Sequence, residues 1–318
     1  LSDYQIRAKS RGGTKVKRSL TVVTAALVVL TSFQAEGKVR QTRPKVTALV
    51  CSVDVHGKPW VAVIGGPVAG KTWVDSEEAK GLMHEGDRLS LYALGADILG
   101  QVVLTSKGRL GSEEEDSFEE YGLFFDAQVN VAPGKQEAYM KAKEVAEKRI
   151  LPHMLAVWSS KGFKPRWLVG EVLNPENRAY RRVIADWLAR RGVPSDVIGK
   201  VVAEQVVRAD IDGDKRNEVF LSFRSEDAPR WLQPGESKKR TFTYLLMRYL
   251  PPKSQHVKTI VIAYDQPGIN VVAGFCDLDG DGRAEVITEL NGVDVWGATL
   301  YRWLGSRFEE AGGWGGGA

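Results

Sequence analysis

The chain has 318 residues, 43% of them hydrophobic and 26% charged, which is the composition of an ordinary globular protein and excludes a disordered or fibrous one. Its formal charge is +4, but residues 1–35 carry +5 of it, so the remainder stands at −1 and has no global field to gather nucleic acid. Two cysteines are too few for a disulfide framework and lack zinc-ligand spacing. The pair is open to two readings, a disulfide in an exported protein or two buried thiols.

Residues 1–18 hold Arg7, Lys9, Arg11, Lys15, Lys17 and Arg18 against Asp3. The uncharged run "LTVVTAALVVL" follows at 20–30. A basic stretch before about a dozen apolar residues reads as a secretion signal over residues 1–35, because a spanning helix needs ~20. Phe33 is bulky for a cleavage site at Ala35, so an uncleaved membrane anchor is the alternative. The expected localisation is secreted or cell envelope, extracytoplasmic and bacterial.

From 45 to about 130 the pattern is β-rich: "VTALVCSV", "PWVAVIGG", "RLSLYALG" and "GQVVLTS" are short apolar or alternating runs between glycines and polar pairs. "DSEEAKGLMHEG" predicts one short helix, capped by Asp75 or Ser76 and ended by Gly81 or Gly86. "SEEEDSFEE", 112–120, reads as a solvated acidic loop. Within the same region Gly65, Gly70, Lys71 and Thr72 match the phosphate-loop pattern G-x-x-x-x-G-K-[ST]. A phosphate loop feeds directly into a helix, however, and here Trp73 and Val74 intervene. The stretch therefore reads as a β-hairpin, "WVAVIGG" up and "KTWV" back, with Pro67, Gly70 and a solvated Lys71 in the turn. No nucleotide is expected to bind.

Residues 135–192 predict a helical middle segment. "KQEAYMKAKEVAEKRIL" has a moderate helical period ending at Pro152. "NPENRAYRRVIADWLARRG" places Tyr180, Val183, Ile184, Trp187 and Leu188 on one apolar face. Asn174 is the expected cap, Pro175 the first turn, and Gly192 with Pro194 the stop. Arg178, Arg181, Arg182, Arg190 and Arg191 fall mostly on the opposite face, which reads first as solvated and second as a basic partner patch.

Beyond residue 200 strands return, and two joints between them carry the strongest signal. "ADIDGDKRNEVF" and "CDLDGDGRAEVI" place Asp210, Asp212, Asp214 and Glu218, then Asp277, Asp279, Asp281 and Glu285, at loop positions 1, 3, 5 and 9. Alternate carboxylates in a tight loop converge, and the position-7 carbonyls of Arg216 and Arg283 add further oxygens. That donor set suits Ca²⁺, which takes six to eight oxygens. Without a cation the acids repel one another. Neither loop is an EF-hand, since position 12 is Leu221 or Thr288 and a strand follows. Gly282 suits a left-handed position 6, whereas Lys215 there costs about 1 kcal/mol, so the second of the two structural Ca²⁺ sites is expected to be the stronger.

These D-x-D-G-D-x-x-x-E-[VI] loops resemble those of FG-GAP or VCBS-type calcium repeats, the blades of integrin-α-like propellers. The resemblance spans about residues 200–311 and implies as ligands Asp210, Asp212, Asp214, Glu218 and the Arg216 carbonyl, then Asp277, Asp279, Asp281, Glu285 and the Arg283 carbonyl. The 67-residue spacing implies one blade per loop, but two loops in about 280 residues do not make a closed seven-bladed ring. More loosely, the "GKTW" hairpin, "LYALG", the Ala-Tyr helix and the paired loops resemble uncharacterised exported bacterial proteins. No activity comes with that resemblance.

His56, His84, His153 and His256 have no motif partner, and no nucleophile motif occurs. Trp187, Trp296 and Trp303 read as core, and Trp314 in the Gly-rich tail 312–318 as the most exposed. The expected architecture is α+β, antiparallel and β-rich, with propeller-blade-like C-terminal sheets. The expected role is non-catalytic calcium-dependent binding or structure at the cell surface, with an unknown surface polymer or protein as partner, and with the membrane only if the leader is uncleaved. The alternative is a carbohydrate- or cell-wall-active hydrolase with a carboxylate pair and calcium staples.

Overall fold

The computed structural model describes residues 46–317 except 56, 70–72, 112–118, 150–153, 161, 227–241, 265–267 and 293–294. Residues 1–35, expected to be a secretion signal, and Lys71, His56 and His153 lie outside these residues. No helix among the described residues is long and apolar enough to cross a membrane.

The N-terminal strands close on themselves. Strands β1 (Ala48–Asp54), β2 (Trp60–Pro67), β4 (Arg88–Ala93), β5 (Gly100–Leu104), β8 (Leu123–Val131) and β9 (Met154–Ser159) pair antiparallel in the ring β2-β1-β9-β4-β5-β8, and β8 returns to β2 through Val61 opposite Phe125. Short strands β3 (Trp73–Asp75) and β6 (Arg109–Leu110) flank it. Alternation sends Leu49, Cys51, Val53, Val61, Val63, Leu89, Leu91 and Phe125 into the barrel. The opposite faces, with Val50, Ala62, Ile64, Phe124 and Leu155, turn outward yet remain buried, because a second sheet covers them.

The expected hairpin β2–β3 pairs Gly65 with Asp75 and Gly66 with Val74, but Pro67, expected in the turn, is the last residue of β2 and pairs with Trp73. Its glycines answer to packing. A Cβ on Gly66 would lie 2.1 Å from the Ala48 carbonyl, and one on Gly65 2.4 Å from the Val74 carbonyl. Close approach of strands accounts for Gly65, the first residue of the nucleotide pattern, and for Gly66 beside it.

The C-terminal half consists of two consecutive meanders. Strands β12 (Val202–Ala209), β13 (Glu218–Arg224), β14 (Thr243–Tyr249) and β15 (Lys258–Tyr264) form one sheet, edged by β11 (Glu171–Leu173). Strands β16 (Ile269–Asp277), β17 (Glu285–Asn291), β18 (Val295–Trp303) and β19 (Phe308–Gly317) form the other, edged by β10 (Arg166–Leu168) and β7 (Glu119–Tyr121). Four strands in sequence order are the layout of a propeller blade.

The layers then stack. The barrel packs on the β16–β19 sheet through Leu155 and Val157 against Cys276 and Ile287. That sheet packs on the β12–β15 sheet through Phe275 and Val286 against Val207 and Phe220. Finally helix α2 (Arg178–Ala189) lays Ile184, Trp187 and Leu188 on Val206, Leu221 and Phe223. Strand β16 is buried along its whole length because it has a layer on each side. Cys51 and Cys276 are buried free thiols in different layers, which resolves their two readings.

Several local expectations are corrected. The middle segment is helical at its ends, α1 (Gln136–Arg149) and α2, with β9, β10 and β11 between them. Helix α2 is capped by Asn177, whose side chain accepts from Ala179 N, rather than by Asn174. Asn174 Oδ1 accepts from Glu176 N, so the chain completes a separate turn first. A further turn, α3 (Ser195–Ile198), follows Pro194. Residues 76–82 make successive turns instead of a helix, with Asp75 Oδ1 taking Glu78 N, because Gly81 turns left-handed at φ 85° before a second helical turn can form. Glu119 and Glu120, assigned to the solvated loop, are strand residues of β7.

The Gly-rich tail is the largest departure. It is strand β19, and Trp314 is buried, not exposed. Its ring meets Trp60 at 5.6 Å and Phe124 at 5.8 Å, both edge-on, and its Nε1 donates to Ser52 Oγ at 3.2 Å. The flanking glycines let β19 lie against β2, where a Cβ on Gly312 would meet Ile64 O at 2.7 Å. Trp314→Ala is therefore expected to cost about 3–5 kcal/mol of stability. Trp314→Phe should keep the ring burial and lose only the hydrogen bond, about 1 kcal/mol. Urea denaturation of the variants measures both, and a loss below 1 kcal/mol for the alanine variant would contradict this placement.

Candidate metal centre

Both acidic loops are hairpin turns of the same construction. The first joins β12 to β13, with Ala209 opposite Glu218, and the second joins β16 to β17, with Cys276 opposite Glu285. Positions 4 and 6 are left-handed in each: Gly213 at φ 74° and Lys215 at 68°, Gly280 at 76° and Gly282 at 90°. Lys215 thus adopts the conformation that glycine takes in its counterpart, as expected from sequence.

The internal hydrogen bonds repeat as well. The position-1 carboxylate accepts from the position-6 N–H, Lys215 N to Asp210 at 3.0 Å and Gly282 N to Asp277 at 3.1 Å. Position 3 accepts from position 5, at 3.2 Å for Asp212 and 3.0 Å for Asp279. Position 5 accepts from position 7, at 2.8 Å in both. The position-9 glutamate, first residue of the returning strand, reaches back to the position-2 N–H. Glu218 takes Ile211 N at 3.0 Å and Glu285 takes Leu278 N at 2.9 Å.

This wiring brings three carboxylates of each loop together. Asp210, Asp212 and Glu218 place one oxygen apiece within 4.8 Å of one another, and so do Asp277, Asp279 and Glu285. Asp214 and Asp281 stand outside these groups. Asp214 is turned onto the guanidinium of Arg216, which holds its carboxyl below the usual range. Glu218 and Glu285 are 3% and 4% exposed, so each loop buries one acid almost completely.

The electrostatic consequence is uniform. Burial pushes Glu218 up to about 7, with Asp212 and Asp214 adding repulsion. Glu285 rises well above its ordinary range, first by burial and then by Asp279, Asp281 and Asp277. Asp212, Asp277 and Asp279 are also raised, mainly by burial. One oxygen, Asp210 Oδ1, is buried with no hydrogen-bond partner among the described residues. Oxygen donors only, clustered anions and an orphaned acceptor fit a hard divalent cation.

The two loops also touch. Ala284 N donates to Ile211 O at 2.7 Å, and a Cβ on Gly213 would lie 3.4 Å from Gly282 O. Arg166, 116 residues away from Gly282 in sequence, donates to its carbonyl at 3.2 Å. Deeper in the same interface Gln205 brackets Val272, 67 residues on, by Nε2 to Val272 O at 3.0 Å and Val272 N to Oε1 at 2.8 Å. Neither Arg166 nor Gln205 carries a local pattern that marks this role. Gln205 is an interior polar residue in an apolar run, and that was the one available clue.

His84 and His256 are exposed and take no part in these loops. A cleft of about 780 Å³ lies between α1 and the β10–β11 connection, and among the described residues the carboxylate lining it is Glu171, which pairs with Arg208.

In the metal-free protein the raised carboxylates set a pH dependence. The folded state holds a proton on Glu218 up to about pH 7, whereas the unfolded chain releases it near its ordinary 4.5. The folded state binds more protons across that window, so metal-free stability is expected to fall as pH rises through it. Glu218→Gln should flatten part of the slope. Urea titrations in excess chelator at pH 5, 6, 7 and 8 measure it, and stability that rises with pH would contradict the burial of these acids.

Comparison of the chain with protein-family profiles, with curated proteins and with solved structures gives no match.

Proposed function

We propose that the protein is an exported calcium-binding protein whose two ions brace the C-terminal sheets for a non-catalytic binding or structural role at the cell surface. The carrying observation is the pair of three-carboxylate groups, each with one acid almost fully buried, built by the same hydrogen bonds in two loops. Acids buried at this density are tolerated when they take up a proton or meet a cation, and the convergence of three carboxylates in each loop favours the cation. Asp210, Asp212 and Glu218 would hold one ion, and Asp277, Asp279 and Glu285 the other. Asp214, Asp281 and the Arg216 and Arg283 carbonyls would complete the shells. The repeated loop, the 67-residue spacing and the meander order support a relation to FG-GAP or VCBS-type repeats. The basic-then-apolar leader supports export.

The second site should bind more tightly. Lys215 brings a strained conformation and a charge to the first loop, and Arg216 engages Asp214 there.

Calcium at 100 times its dissociation constant adds about 2.7 kcal/mol per site. The melting temperature should therefore rise by roughly 5 °C or more between excess chelator and millimolar calcium. Magnesium should give less, because its octahedral demand is stricter. Identical melts together with no retained metal would refute the reading. Asp279→Ala should remove more of the calcium-dependent increment than Asp212→Ala, and equal losses would show that Lys215 and Arg216 do not weaken the first site.

A further inference from the structure

A groove of about 240 Å³ lies between helix α2 and the β13–β14–β15 end of the neighbouring sheet. Tyr180, Val183, Asn217, Val219, Arg248 and Tyr249 are among its lining residues. Arg248 projects from β14 and is half-buried. It has no ion pair or hydrogen-bonded side-chain partner among the described residues, whereas Arg181, Arg208, Arg216, Arg224 and Arg302 each meet a carboxylate. Burial first, and then repulsion from a second cation, Arg190, weaken its hold on its proton. Arg190 is the exposed C-cap of α2, seven residues after Val183, which lines the groove.

The surrounding sequence deepens the imbalance. Residues 242–264 contain Arg248, Lys253 and Lys258 and no carboxylate at all. Along α2, Asp186 lies within 3.9 Å of Arg182, and Arg191 stacks over Trp187 at 3.6 Å. A half-buried guanidinium without an anion, set beside a second one, is electrostatically unfavourable in the free protein. An incoming oxyanion relieves it, and the planar fork of Arg suits carboxylate or phosphate.

We propose that this groove binds an anionic group carried by a surface polysaccharide, with Arg248 as the anchoring contact and Arg190 as the second cation. The groove is smaller than the ~300–1,000 Å³ of pockets for whole small molecules, so it takes one ring and its acid group from a longer chain. Tyr180 offers a ring wall and a hydroxyl, and the exposed Asn217 amide a further hydrogen-bond partner, of the kind a sugar uses. The site shares Asn217 with the first loop, but Arg248 and Arg190 lie outside both loops, so its anchoring contact does not require them to be filled.

Calorimetry with an oligogalacturonate at low ionic strength, in excess chelator, tests it. Inorganic phosphate, a neutral dextran oligomer and oligoglutamate are the comparison ligands. The oligogalacturonate should bind, phosphate more weakly and dextran not at all. Arg248→Gln should weaken binding about tenfold or more, Arg190→Gln a few-fold, and Arg181→Gln, already paired with Glu176, not at all. Because Arg248 is uncompensated, Arg248→Gln should leave the melting temperature unchanged or raise it. Absence of oligogalacturonate binding overturns the proposal. Equal weakening by all three substitutions also overturns it, since that reports a diffuse field. Preference for oligoglutamate replaces the sugar with an acidic peptide and overturns the assignment of partner. Use of chelator keeps these outcomes independent of whether the loops hold calcium.

Discussion

The structure turns on one electrostatic constraint, the burial of a glutamate at the first position of a returning strand in each of two touching hairpins. Glu218 and Glu285 sit where the sheet is already dry, and each is fixed by the position-2 N–H of its own loop. A carboxylate in that setting is tolerated in two ways, by taking up a proton or by meeting a cation. The raised ranges of the same acids describe the first state. The aspartates at positions 1 and 3, drawn to the same point, are the ligands that the proposed cation would use in the second. The loops cannot relax outward to escape, because Ile211 and Ala284 hold them together.

That contact is one end of a longer interface. Strand β16 is shared, packing one face on the barrel and the other on the β12–β15 sheet. Gln205 satisfies both backbone groups of Val272 across the sheets, and Ser222 donates to the Asn270 carbonyl nearby. Buried polar groups of this kind are stable only in one register, so they set how the two meanders face each other. The equivalence of the loops and the 67-residue offset then appear as one pattern: two similar sheets laid face to face, with the repeat expressed in a hydrogen bond between equivalent positions.

The sequence showed most of what depends on neighbouring residues. Strand periods, the left-handed turn at Lys215, the apolar stripe of α2 and the hairpin after Ile64 are all set within about ten residues. What stayed hidden depends on distant partners. Strand β9 belongs in the middle of the barrel, yet "MLAVWS" follows a helical stretch and Pro152 and has no local cue for its pairing with β1 and β4. Trp314 looked exposed because glycines surround it, but those glycines are what allow β19 to approach β2 closely enough to bury the ring. The carboxylates of the candidate centre were legible by spacing. The divergence of Asp214 toward Arg216 was not, since a basic residue at position 7 reads equally well as solvated.

Charge is distributed by region rather than by total. With a net charge of −1 outside residues 1–35, the chain has no overall field, yet eight acids stand in the two loops and Arg248 and Arg190 stand beside α2. The two regions meet at Asn217, which is both the eighth position of the first loop and a wall of the groove. Its position follows from Glu218, the next residue, whose carboxylate is tied into the loop. Any cation that draws Glu218 and Asp210 together also fixes the strand start that carries Asn217 and Val219. The groove's other wall, α2, rests on the same sheet through Trp187 and Phe223, whose rings meet edge-on at 6.0 Å. Order in the first loop therefore reaches the groove through one covalent step on one side and through one packed sheet on the other. A loose loop would leave the arginines in place but blur the wall opposite them.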